Sequence, residues 1–216
     1  MKFRLIVPLA VATAVLACEE PLPPVACAPH DPVNAIVGYS TNTTICFEDP
    51  NLDILTYTAV SSNSGVATAS LAGTNLEVTG VDEGQATVVV TALDPGGLTG
   101  TANIPVTVEH PAVLTLESCT GRQQGSLVSA EIRGSVRTNT TMDDVIVIGY
   151  VGTRRLGSDL LGDMRRGERA SFIIAGTISN PLNNQCEVDV RGNVRASGGV
   201  PAAQQIIGQK NATLRP

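Results

Sequence analysis

The chain predicts an all-β protein: two tandem β-sandwich domains, an Ig-like one followed by a second small sandwich, behind a signal peptide and a Pro-rich linker. Three observations lead there. Aromatic residues make up only 3% of the 216 residues and tryptophan is absent, while 21 glycines and 13 prolines interrupt runs rich in Val, Thr, Ala and Ser. β-Branched residues between such breakers favour short strands joined by turns. Beyond residue 17 no apolar pattern of helical period is sustained. Charge also breaks sharply along the chain. Residues 19–121 hold twelve carboxylates and no Lys or Arg, a net charge of −12, whereas residues 122–216 hold twelve basic and eight acidic residues, a net charge of +4. That asymmetry argues for two units with different surfaces.

Lys2 and Arg4 precede an uncharged apolar run from Leu5 to Ala17. The run is too short to cross a bilayer, so residues 1–17 read as a secretory signal peptide. Val15-Leu16-Ala17 then leads into Cys18, an order that resembles the lipobox of bacterial lipoproteins. The resemblance implies a mature chain that starts at a lipid-carrying Cys18, held on a membrane of the bacterial cell envelope with its domains extracytoplasmic. The alternative is ordinary signal-peptidase cleavage before Cys18. Cysteine arithmetic favours lipid: of five cysteines, at 18, 27, 46, 119 and 186, one given to lipid leaves four for two disulfides.

Residues 18–32 form the tether. Five prolines between 19 and 32 and no apolar periodicity predict an extended, polyproline-like spacer that lifts the first domain off the membrane. The acidic surface of that domain would repel nucleic acid and anionic headgroups, so it is expected to project away from the membrane.

Residues 33–110 contain seven candidate strands, at 33–38, 43–47, 55–60, 66–70, 75–79, 85–92 and 101–108, separated by Asp/Asn/Pro/Gly turns. Alternation selects Ile45, Phe47, Leu55, Tyr57, Leu76, Val78, Val88, Val90, Ile104, Val106 and Val108 as its core. FEDPNLDILTY (47–57), SSNSGVATASLAGTNLEVTGVDEGQATVVV (61–90) and TALDPGGLTGTANIPVTV (91–108) resemble bacterial Ig-like repeats of the group 2 and cadherin-like, dystroglycan types. The resemblance implies a β-sandwich used in adhesion, spacing or ligand presentation, without catalysis. Cys46, between Ile45 and Phe47, faces away from the core. A tether strapped over that outer face offers Cys27 as its partner.

Residues 111–196 carry candidate strands at 112–119, 126–138, 143–151, 156–161, 169–178 and 185–195. Gly134-Ser135-Val136-Arg137-Thr138-Asn139 and Arg166-Gly167-Glu168-Arg169-Ala170-Ser171-Phe172 resemble the FxLYD-type sandwich of exported bacterial proteins. Cys119 and Cys186 would bridge its first strand to one near its end. Cys186 is in phase with Val188 and Val190 but Cys119 is out of phase with Leu114 and Leu116, so either a bulge or an off-core bridge is required. Residues 197–216, rich in Gly, Ala and Gln, read as a flexible tail.

Asp49, Asn51 and Asp53 stand at alternate positions, as in the opening of a calcium loop. An EF-hand is excluded, because Ile54 and Val60 stand where glycine and a carboxylate are required. A cadherin-like calcium site would add Asp94, with Asp31 of the tether as a further candidate; the competing reading is that these residues only build turns. Arg154-Arg155 and Arg165-Arg166 are candidates for a basic patch that meets the acidic domain, an anionic glycan or headgroups. The two histidines, His30 and His110, lie in loops; there is no nucleophile elbow, zinc spacing or phosphate loop. The sequence thus points to a non-enzymatic surface lipoprotein acting as a structural or adhesion/interaction module. It would have no cofactor unless calcium binds, a membrane partner through its lipid, and a protein or glycan partner but no nucleic acid. The alternative is a calcium-dependent ligand- or carbohydrate-binding module, and a small exported hydrolase ranks third.

Overall fold

The computed structural model describes residues 20–179, 181, 183, 185–195, 205–213 and 215, and all regular structure among them is strand. Residues 1–17 and Cys18 lie outside the described residues.

The first unit comprises β1 (Val25–Ala26), β2 (Val33–Ile36), β3 (Ser40–Thr44), β4 (Phe47–Glu48), β5 (Thr56–Ser61), β6 (Ala67–Ala72), β7 (Asn75–Gly80), β8 (Gly84–Leu93) and β9 (Thr99–Glu109). One sheet has the order β2-β9-β8-β5 and the facing sheet β3-β7-β6, with β1 paired to β4 at one side. β2 runs parallel to β9 and the other pairings are antiparallel. This is the strand order of an Ig-like sandwich whose first strand has moved beside the last.

Alternation sets the core, because successive side chains leave a strand on opposite faces. Ile45, Phe47, Leu76, Val78, Val88, Val90, Ile104, Val106 and Val108 are buried as the pattern predicts, and Leu55 and Tyr57 pack against them half-buried. Each fully buried aliphatic side chain is worth about 1.5–3 kcal/mol over an exposed one.

The second unit comprises β10 (Ala112–Gln124), β11 (Leu127–Thr138), β12 (Met142–Val151), β13 (Arg154–Met164), β14 (Arg169–Ser179), β15 (Gln185–Val194) and β16 (Gln205–Thr213). Its sheets are β10-β11-β14 and β13-β12-β15-β16, enclosing a separate core around Phe172, Ile132, Met142 and Val188. Gly134 lies opposite Phe172 in the β11–β14 register, and a Cβ there would come within 2.6 Å of the Phe172 ring. Only glycine lets that ring lie across the strand.

Two expectations change here. Of the expected tail, residues 197–204, 214 and 216 lie outside the described residues, and Gln205–Thr213 is not free but pairs along β15 as the outermost strand of its sheet. Arg215 then bridges to Thr120, its N–H reaching the Cys119 carbonyl at 3.0 Å. An edge strand needs one row of backbone hydrogen bonds and few core side chains, so its composition looks like that of a tail. The phase conflict at Cys119 is settled by a bulge. The β10–β11 register shifts between Leu116 and Ser118, leaving Glu117 as the extra residue and turning Cys119 inward. Cys119 and Cys186 are both buried and form a disulfide between the two sheets.

Only His110 and Pro111 separate β9 from β10. Asn139 secures this junction, donating from its backbone N–H to the Pro111 carbonyl (2.9 Å) and from Nδ2 to the His110 carbonyl (3.0 Å). Tyr39 packs from the first unit against the second core, and burial raises its hydroxyl pKa.

Cys119 and Cys186 are 67 residues apart, so the chain-entropy model assigns their bond about 4 kcal/mol. Replacing both by alanine is expected to lower the second unit's unfolding free energy by that order, and its denaturant midpoint accordingly, and leave the first unit's transition in place. Chemical unfolding followed by hydrogen exchange resolves the two.

Candidate functional site

The tether is bound to the first domain almost from its first described residue. Leu22 donates its N–H to Asn51 Oδ1 at 2.8 Å, and Asn51 Nδ2 donates to the Glu20 carbonyl at 3.3 Å. Pro24 is buried, and a Cβ on Gly100 would strike its carbonyl oxygen, so β9 needs glycine where the tether crosses it. β1 then pairs with β4, Cys27 N–H bonds the Cys46 carbonyl at 3.2 Å, and the Cys27–Cys46 disulfide closes the strap. His30 Nε2 accepts the Cys46 N–H at 3.1 Å and lies beside the Phe47 ring. The expected spacer is therefore a docked strap. Prolines suit it because a stiff segment loses little entropy on docking.

The loop that grips the tether also carries acidic residues. The turn after β4 opens at Asp49, whose carbonyl accepts Leu52 N–H at 3.0 Å, while its Oδ1 accepts Asn51 N–H (2.8 Å) and Asp53 N–H (3.2 Å). Leu52 has φ +63°, a left-handed conformation that costs a residue with a Cβ roughly 1–2 kcal/mol. The β8–β9 turn opens at Asp94, whose Oδ1 accepts Leu98 N–H at 2.8 Å. These two turns lie side by side and bring one carboxylate oxygen each from Asp49, Asp53 and Asp94 within 4.8 Å of one another.

Asp49 and Asp94 are only 7% and 5% exposed, and Asp49 Oδ2 is buried with no hydrogen-bond partner. No Lys or Arg exists anywhere from residue 5 to residue 121, so the domain supplies no cation of its own to the cluster. At this spacing each like-charge pair repels by about 1 kcal/mol in water and about 4 kcal/mol at an effective dielectric of 20. Calcium takes oxygen ligands at about 2.4 Å, so two ligands on opposite sides of it stand about 4.8 Å apart. The cluster has the size and donor chemistry for such an ion.

Of the four residues proposed from sequence, three meet. Asn51 instead spends its amide on the tether, a role that Asp-Pro-Asn, a common turn, does not signal. Asp31 is exposed and outside the cluster. The basic patch is not formed. β13 runs from Arg154 to Met164, so Arg154 and Arg155 lie at one end and Arg165 and Arg166 beyond the other, about 30 Å away at the usual strand rise. Arg155 donates to Ser158 Oγ on its own strand, and the Arg165 backbone N–H donates to Glu168 Oε2. His110 is exposed, 3.8 Å from Glu83, and His30 is committed to the Cys46 amide.

No family model and no curated protein matches this chain. Solved structures do match across most of its length. Human protocadherin-24 EC1-2 is 15% identical, covering 91% of this chain and 98% of that one, with a TM-score of 0.38. The titin Z1Z2 domains in complex with telethonin are 17% identical over 91% and 98%, with a TM-score of 0.33. Domains 5-6 of the S-layer protein SbsC are 13% identical over 89% and 98%, also at 0.33. The fold assignment rests on the strand order and register above.

Asn51→Ala removes both hydrogen bonds of the clasp, each worth about 1 kcal/mol net. The expected result is faster amide exchange at Leu22 with the β8–β9 amides unchanged. Equal loss of protection in β8 and β9 would place Asn51 in the fold itself.

Proposed function

We propose that this protein is a non-enzymatic surface lipoprotein, anchored through lipid on Cys18, that presents two sandwich domains as a structural or adhesion module. The observation that carries this reading is the docked tether. A segment that leads to a lipid anchor gains from being fastened to the domain it holds, and clasp, buried Pro24, β1–β4 ladder and disulfide all do so between Glu20 and Glu48. The odd cysteine supports it, since the other four are paired. Disulfides belong to oxidising, extracytoplasmic compartments. The non-enzymatic part is supported by His30 being held by the Cys46 amide and His110 lying exposed beside Glu83. The intact mass of the mature protein tests the reading: acylated Cys18 and no free thiols are expected, and an unmodified Cys18 would overturn the anchor.

A second reading, calcium binding, is favoured by one observation: Asp49, whose buried Oδ2 has no hydrogen-bond partner, belongs to a three-carboxylate cluster. Asp49, Asp53 and Asp94 would ligate the ion, with Asn51 holding the loop. Calcium at a hundredfold excess over its Kd should add about 2.7 kcal/mol to the first domain's stability. Scanning calorimetry with calcium or chelator reads this directly. An unchanged melting temperature, or a shift that persists in Asp49→Asn with Asp94→Asn, removes the site.

A further inference from the structure

Three of the exposed large aliphatic side chains gather at the tether pole of the first domain. Leu52 is 91% exposed and Ile54 85%, the two highest values among such residues, and Leu22, clasped by Asn51, is 46% exposed. Leu52 is held outward on a left-handed backbone, the costlier way to place a leucine in solvent. The chain leaves the domain at this same pole. Glu20 is bonded to Asn51, and Cys18 is two residues upstream, a reach of about 7 Å even when fully extended.

From these two facts we infer that the pole formed by Leu22, Leu52 and Ile54 rests on the lipid surface into which Cys18 is anchored. The inference depends on the proposed lipid at Cys18 and adds to it a docking face and its occupant. A docked tether cannot lift the domain away, because no free spacer remains between Glu20 and the fold. Aliphatic side chains held at the root of an acyl anchor meet the boundary between headgroups and acyl chains, where burying them is favourable. Strand order fixes the opposite end. β9 starts beside the Asp94 turn and runs eleven residues to Glu109, about 33 Å at the usual rise, so the second domain begins far from the lipid.

The absence of tryptophan makes this directly readable. Full-length mature protein carrying Leu52→Trp, or separately Ile54→Trp, is incorporated into phosphatidylcholine vesicles with ordinary or brominated acyl chains. Leu160→Trp, at a position 68% exposed on β13, serves as the distant reference. Flotation with the vesicles reads the anchor, and bromine quenching reads the seat. Flotation with blue-shifted, quenched emission at 52 and 54 but not at 160 supports the inference. Flotation with emission at both 52 and 54 as in water overturns the inference and leaves the anchor standing. Failure to float overturns the anchor and the inference with it.

Discussion

The N-terminal pole depends on the bond between Cys27 and Cys46. The β1–β4 ladder is two residues long, far below what holds two strands together unaided. Ordering the backbone costs about 1–2 kcal/mol per residue, and a few hydrogen bonds at about 1 kcal/mol each do not offset that over the strap. Closing the 19-residue separation covalently removes about 3 kcal/mol of that cost beforehand. Proline does the same for the residues before it by restricting the unfolded chain. With the strap in place, Asn51 has a tether to hold, and the Asp49 turn is fixed against the β8–β9 turn.

The two oxygens of Asp49 are used unequally. Asp49 Oδ1 takes two backbone N–H groups, which is all that an Asx-turn asks of it. Turn formation leaves Oδ2 with nothing to do, yet Oδ2 is buried without a partner, on a residue whose carboxylate clusters with those of Asp53 and Asp94. An unpartnered buried carboxylate oxygen costs roughly 1–3 kcal/mol or more, and two neighbouring negative charges add to it. A divalent ion would remove both costs at once. That is why the cation reading survives beside the simpler one.

Strand positions and core residues were legible because alternation is a local signal: Leu76 and Val78, or Val88 and Val90, announce their face without reference to partners. Three features were not. The bulge at Glu117 is set by pairing with β11, and only the mismatch between Cys119 and Leu116 hinted at it. β16 has the composition of a tail because an edge strand buries little. The two arginine pairs look adjacent until β13 is drawn as one extended strand, which separates them. All three residues of the acidic cluster were legible, since Asp49, Asp53 and Asp94 open or close recognisable turns; Asn51, the fourth residue proposed, holds the tether instead. The tether clasp was hidden, because an asparagine that grips a distant backbone reads like any turn asparagine.

Charge and chain order pull in opposite directions along this molecule. From charge alone, the domain of residues 33–110, with eight carboxylates and no Lys or Arg, should stand away from an anionic surface. From connectivity, it is the domain next to Cys18, and the docked strap keeps its acidic pole within about two residues of that proposed anchor. At physiological salt the screening length is about 8 Å, similar to that reach, so repulsion at the pole is felt while the rest of the domain is screened. The proposed lipid on Cys18 would outweigh such repulsion and confine the conflict to a few side chains around Asn51. Those are the side chains with unusual features: carboxylates spaced for a divalent cation and aliphatics held in the open. Both would lessen the conflict, one by neutralising charge and the other by apolar contact, and each follows from placing an acidic domain at the root of its tether.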